Sequence, residues 1–212
     1  MIQAIISDFG GVLTTPLLGS FARFQERVGI PAESLRVAMQ AIEARDGENP
    51  LFGLERGEVT EAHFFGTLGA EISAQLGREV HLGDFAEHYF SGLDPLPPMI
   101  EYLGEVKARR GIRLALLTNN VREWEPRWRA MLPVDELFEL VVDSAFVGMR
   151  KPDPRIYELT LSGLGLPAEA CAFVDDLEPN IVAARELGLH AVHFADAEQA
   201  IGELETLLGP AA

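Results

Sequence analysis

A single cysteine, Cys171, in a chain of 212 residues leaves no partner for an internal disulfide. A reducing, cytoplasmic setting is the expectation. Positive charge is also scarce: 17 Lys and Arg stand against 33 Asp and Glu, for a formal net charge of −16. With no block of Lys or Arg, neither nucleic acid nor an anionic membrane is an expected partner. The apolar runs stay strand-length, far below the roughly 20 residues of a membrane span. The chain enters such a run within a few residues of Met1, so no signal peptide is expected. The five histidines lack zinc-ligand spacing. No repeat or low-complexity tract breaks the sequence. What remains is 48% hydrophobic residues, enough for one α/β core with an accessory domain.

Five apolar runs predict core strands: Ala4–Ser7, Arg113–Leu117, Leu140–Val142, Ala172–Val174 and Ala191–Phe194. The second and fourth are continuous rather than alternating, as in parallel sheets covered by helices on both faces. Asp153-Pro154 predicts a helix start, followed by Tyr157, Leu161 and Leu164 on one face. A further helix is expected after Asn180, stopping at Gly188. The stretch from Leu17 to Asp94 holds no convincing strand. It carries helical patterns at Phe21, Phe24 and Val28, at Leu35, Met39 and Ile42, and at Phe64, Phe65 and Leu68. Asp84 and Glu87 resemble a capping pair, and Leu93–Pro98 reads as a return linker. The expected organisation is a Rossmann-like parallel sheet core over 1–16 and 95–212, with an all-helical cap inserted over 17–94.

Four segments carry chemistry. In Ile5-Ile6-Ser7-Asp8-Phe9-Gly10-Gly11 a strand runs into a lone carboxylate and a glycine turn. Open α/β sheets bind ligands at that end of their strands. Leu117-Thr118-Asn119 adds a hydroxyl and adjacent amides, Arg150-Lys151-Pro152-Asp153-Pro154 a cation, and Val174-Asp175-Asp176 with Asn180 a second acidic cluster. Together they read as a site for a phosphate-like anion and a divalent metal. Oxygen donors of this kind suit Mg²⁺.

In that order, with helices between the first and second, these segments resemble the haloacid dehalogenase-like hydrolase superfamily. Leu54–Thr60, Val147–Tyr157 and Phe173–Asp176 are most similar to the phosphatase domain that opens soluble epoxide hydrolases, and to its relative in acyl-CoA dehydrogenase fusions. The resemblance implies that Asp8 is a nucleophile forming an aspartyl-phosphate, with Thr118 and the Asn119 amide holding phosphoryl oxygens. Lys151 would neutralise phosphate and restrain Asp8. Asp8, the Gly10 carbonyl and Asp176 would bind Mg²⁺, supported by Asp175 and Asn180. The implied protein is a monomer or homodimer acting on a small phosphorylated substrate.

The chain departs from that pattern at Gly10, where phosphatases of the superfamily usually carry an acid–base aspartate. General acid–base catalysis contributes about 10²–10⁴-fold. Gly10 is also a position where a left-handed backbone is expected. Two other readings therefore stand beside the phosphatase: a 2-haloacid dehalogenase, and a catalytically weak phosphate-binding or regulatory domain. Elsewhere, Trp124 and Trp128 on a helix and Cys171 in a strand read as packing, as does His193. His63 and His88 read as partly exposed cap positions. Arg23, Arg45 and Arg56 are cap residues that could meet a substrate tail.

Overall fold

The structure, a computed structural model, describes residues 1–15 and 29–210. Five strands form one parallel sheet in the order β3-β2-β1-β4-β5: β1 Ala4–Ser7, β2 Arg113–Thr118, β3 Leu140–Asp143, β4 Cys171–Asp175 and β5 His190–His193. Side chains alternate across the sheet, as a strand requires. Ile5, Leu114, Leu116 and Val174 join one apolar cluster, while Ile6, Ala115, Leu117 and Phe173 join the other. Both faces are buried, which explains the continuous apolar runs. Chain order reverses around β1, because β2 and β3 build outward on one side and β4 and β5 on the other. The carboxyl ends of β1 and β4 therefore flank a topological switch point, the preferred place for a ligand.

Among the described residues, four helices lie between β1 and the return to the sheet: α1 Ala32–Asp46, α2 Pro50–Glu55, α3 Glu61–Leu76 and α4 Phe85–Ser91. Thr60 caps α3 by accepting from His63 N at 3.2 Å. Asp84 precedes α4 but makes no side-chain cap, so the expected capping pair is not formed. The predicted pattern at Phe21, Phe24 and Val28 lies outside the described residues, as does Arg23. Chain exit and return are pinned together: Leu96 N donates to Leu13 O at 2.7 Å and Thr15 N to Asp94 O at 2.9 Å. Helix α5 starts at once, over Pro97–Arg110.

The rest of the sheet's cover follows in sequence: α6 Glu125–Arg129, α7 Val134–Leu137, α8 Ser144–Val147, α9 Pro154–Leu164, α10 Glu178–Glu186 and α11 Ala197–Leu208. Asp153 caps α9 through Arg155 N, as its Asp-Pro start predicts. Helix α10 begins before Asn180 rather than after it, because Pro179 sits in its first turn, and it ends at Glu186. Gly188 lies two residues beyond, with φ +89°. The inserted helices share one continuous apolar cluster with the sheet: Phe9, Leu13 and Trp128 belong with Leu54, Phe64, Leu68 and Phe85. Polar bonds tie them down at the turn after α2. Ser144 Oγ donates to Glu55 O at 2.6 Å, and Arg150 Nε to Glu55 Oε2 at 2.5 Å. Gly57 has φ +67°, and a Cβ there would collide with the Ala145 carbonyl.

Candidate active site

Asp8 follows β1 directly, its N–H donating to Val174 O at 2.9 Å, so the carboxylate stands at the switch point. Lys151 arrives from the loop before α9 and is only 1% exposed. Its Nζ lies 2.7 Å from Asp8 Oδ1 and 2.6 Å from Asp175 Oδ2. Burial opposes the charge on Lys151, but Asp175 and Asp8 more than offset it, and its pKa stands above the usual lysine value. The loop is held by a reciprocal pair: Lys151 N donates to Asn119 Oδ1 at 2.8 Å, and Asn119 Nδ2 to Lys151 O at 3.0 Å. The Asn119 side chain is thereby occupied, and what it can offer a ligand is its backbone N–H.

Asp175, at the end of β4, is wholly buried and saturated with donors. Leu177 N reaches its Oδ1 at 2.9 Å, and Asn180 Nδ2 reaches both oxygens at 2.9 and 3.1 Å. Tyr157 OH in turn donates to Asn180 O at 3.0 Å. Asp176 is different. Among the described residues no other group donates to its carboxylate, which is backed by its own backbone N–H and rests against Gly11. The left-handed glycine there is Gly11, φ +80°, not Gly10. Ligand-capable oxygens of Asp8, Asp175 and Asp176 lie within 4.8 Å of one another.

Three carboxylates against one ammonium leave excess negative charge in a buried pocket. Burial pushes Asp8 up to about 7; Lys151 opposes this, while Asp175 and Asp176 reinforce it. Asp176 is also raised, by burial and then by Asp175. A cluster of oxygen anions with this excess of negative charge would be stabilised by a cation. The donor set, all hard oxygens, fits Mg²⁺. Thr118 completes the floor at the end of β2, buried, with no partner to its hydroxyl among the described residues.

A cavity of about 280 Å³ reaches the site at Gly10, Thr118 and Asn119, while Asp8, Lys151, Asp175 and Asp176 do not line it. Gly10, Thr118 and Asn119 form its inner end, and its walls are apolar: Phe9, Leu35, Met39, Leu54, Phe64, Phe65, Leu68, Phe85, Tyr89, Phe90 and Trp124 among them. A larger cleft of about 520 Å³ lies beside α3 and α4 and touches none of the site residues. Trp124 and Trp128 are buried, as expected, but they stand on a 3₁₀ turn and on α6 rather than on one helix. Both line the smaller cavity. Arg45 and Arg56 do not line it; Arg45 pairs with Asp46, and Arg56 with Glu48 and Glu58. The lining residues that the sequence reading missed are Arg36 and Glu55. Glu55 lies within the Leu54–Thr60 segment that carries the resemblance, but nothing local assigns it or Arg36 to the cavity, since only chain packing turns α1 and the end of α2 toward it.

A parallel sheet with an acidic cluster at its switch point and a helical cover defines a capped, Rossmann-like α/β enzyme. The chain belongs to the haloacid dehalogenase-like hydrolase family, whose model matches residues 2–188. It is 33% identical over 216 residues to mouse acyl-CoA dehydrogenase family member 10, covering 98% of this chain and 19% of that protein. It spans only about a fifth to two fifths of several such curated relatives. Two shorter proteins match along most of their length. Phosphatase MT3486 of Mycobacterium tuberculosis is 30% identical, covering 90% of this chain and 86% of its own. Sesquiterpene phosphatase astK of Aspergillus oryzae is 28% identical, covering 98% and 97%. A solved haloacid dehalogenase family enzyme from Bacteroides thetaiotaomicron, in complex with magnesium and inorganic phosphate, shares the fold. Its TM-score is 0.66 at 23% identity, over 91% of this chain and 94% of that one.

Proposed function

We propose that this hydrolase is a Mg²⁺-dependent phosphatase acting through an aspartyl-phosphate on Asp8, with residues 17–94 as its cap. The observation that carries this is the buried Lys151 held between Asp8 and Asp175, with the Asp176 carboxylate beside them. Asp8, Asp176 and the Gly10 carbonyl would hold the metal, while Asp175 and Asn180 brace the lysine and the β4 turn. The bound ion would supply charge neutralisation for the phosphoryl oxygens.

This chain's own groups do the rest. Lys151 attracts the phosphate dianion and aligns Asp8 Oδ1. The Thr118 hydroxyl and Asn119 N–H stand where phosphoryl oxygens would lie, and such preorganised donors stabilise charge as it builds. The apolar cavity fits an ester whose organic part is largely hydrocarbon, in keeping with the sesquiterpene phosphatase among the relatives.

The test is phosphate release from a panel of polar and apolar monoesters, with and without Mg²⁺, using Asp8→Asn as the blank. Turnover that needs Mg²⁺ and Asp8, and favours apolar esters, is the expected result. A filled cavity, Leu68→Trp, should raise KM for the apolar esters alone. A 2-haloacid dehalogenase is the competing enzyme, since solved structures of that activity share the fold. Halide release, or full activity in excess EDTA, would establish it instead. Binding of inorganic phosphate without turnover of any ester would establish a regulatory domain.

A further inference from the structure

We infer that Glu55 is the proton-transfer residue this chain uses in place of an acid at position 10, acting from the cap side of the cavity. The inference rests on the phosphatase reading above. Among the described residues, Glu55 is the one carboxylate lining the apolar cavity that ends at Gly10, Thr118 and Asn119. Its placement is fixed from two sides. Ser144 Oγ donates to its carbonyl at 2.6 Å and accepts from Asn120 N at 3.0 Å, which ties Glu55 to the turn after β2. Arg150, next to Lys151, donates to its Oε2 at 2.5 Å. The Arg150 guanidinium is itself packed 4.0 Å over the Phe52 ring. Glu55 is thus tied to both loops that carry the phosphate-facing residues, through its backbone carbonyl to the turn after β2 and through its carboxyl to Arg150. Its Oε1 has no protein partner among the described residues.

The surroundings suit an acid. Burial raises the Glu55 pKa, and Arg150, Lys151 and Arg56 oppose that without cancelling it. Tyr89, on α4, lines the same cavity, and burial, with the Asp8 and Glu55 carboxylates adding to it, keeps its hydroxyl protonated. Arg36, from α1, also lines the cavity and pairs with Glu33. An arriving phosphate dianion adds negative charge near Glu55 and favours its protonated form further. As Asp8 Oδ1 bonds to phosphorus and the ester P–O bond breaks, the Glu55 carboxyl gives its proton to the departing oxygen, which leaves as an alcohol. The resulting carboxylate then takes a proton from the water whose oxygen attacks the aspartyl-phosphate, freeing Asp8 and phosphate.

The experiment compares kcat/KM for an alkyl phosphate and an aryl phosphate across pH in Mg²⁺, for wild type, Glu55→Gln and Arg150→Gln. An aryl oxide leaves readily without a proton, whereas an alkoxide does not. Glu55→Gln should lose about 10²–10⁴-fold on the alkyl ester and under about tenfold on the aryl ester. It should also lose the alkaline limb of the alkyl profile. Arg150→Gln, which breaks the same ion pair but keeps the carboxyl, should slow both esters alike and retain that limb. Equal losses on both esters in Glu55→Gln, or no loss, would overturn the role. Should thermal melts find Glu55→Gln unfolded, Glu55→Asp takes its place. Retention of the limb with a larger loss on the alkyl ester then supports the role, and equal losses overturn it. If wild type cleaves neither ester, the phosphatase reading itself fails.

Discussion

Gly11 and Asp176 are matched by exclusion: a Cβ on Gly11 would lie 2.9 Å from Asp176 Cγ and collide with its Oδ2. The glycine is therefore required twice, for its φ of +80° and for room beside the carboxylate. Gly11→Ala should displace Asp176 and lower Mg²⁺ affinity at least tenfold by titration calorimetry. The strained backbone should cost about 1–2 kcal/mol of stability. Unchanged Mg²⁺ binding would remove Asp176 from the metal site.

Lys151 is the cation that makes a buried acidic cluster tolerable. Lys151→Met leaves Asp8 and Asp175 facing each other without a counter-charge, which costs about 3–5 kcal/mol when a buried pair is broken. Protonating a carboxylate removes the charge, so the deficit in thermal stability should shrink on moving from pH 8 to pH 5. An equal deficit at both pH values would mean that lost packing, not charge, is responsible.

Asp143 caps α8 through Ala145 N, yet its Oδ2 is buried without a partner. Burial pushes its pKa up to about 6, against that capping bond. With an ordinary carboxylate value of 3.8 in the unfolded chain, the folded state holds the extra proton between the two values. Its contribution is thus full below about pH 4 and is lost as pH rises through 6, by ~3 kcal/mol at most. Asp143→Asn should flatten the stability profile between pH 4 and 7, read from denaturant midpoints. A profile unchanged from wild type would place the titration elsewhere.

Gly10 lies outside the set of left-handed glycines, so its φ places no bar on a side chain there. Gly10→Asp introduces the acid that the family resemblance leads one to expect at this position. In the Glu55→Gln protein it should restore alkyl-phosphate turnover by ten- to a hundredfold and change aryl-phosphate turnover little. In the wild type it should do less, because Glu55 already donates. Equal gains on both esters would argue against a role in proton transfer.

All five strands and the parallel order they imply were legible locally. A buried strand must be apolar throughout, and Ile5-Ile6, Leu114–Leu117 and Ala172–Val174 carry that requirement in their own composition. Asp8, Lys151 and Asp175 were legible for a related reason. Asp8 and Asp175 stand where apolar strands end, and a carboxylate there must be satisfied in the fold, while Lys151, in a loop, was tied to Asp8 by the resemblance that the ordered segments carry. Asn119 was read as an oxygen-binding amide, and its second task, clasping the Lys151 backbone, needs the loop brought beside it. The left-handed turn residue was misplaced by one, because two adjacent glycines are equal in sequence and only the approach of Asp176 distinguishes them. Glu55 was legible only as part of the Leu54–Thr60 resemblance, not as a cavity residue, and Arg36 and the apolar cavity were not legible at all. They depend on how α1 to α4 pack over the sheet, and helix periodicity says which face is apolar without saying what that face will cover. The sequence by itself determined the sheet and the charged groups at its switch point, since burial of charge dictates pairing. The tertiary structure alone decided which cap carboxyl lines the cavity that reaches Gly10, Thr118 and Asn119.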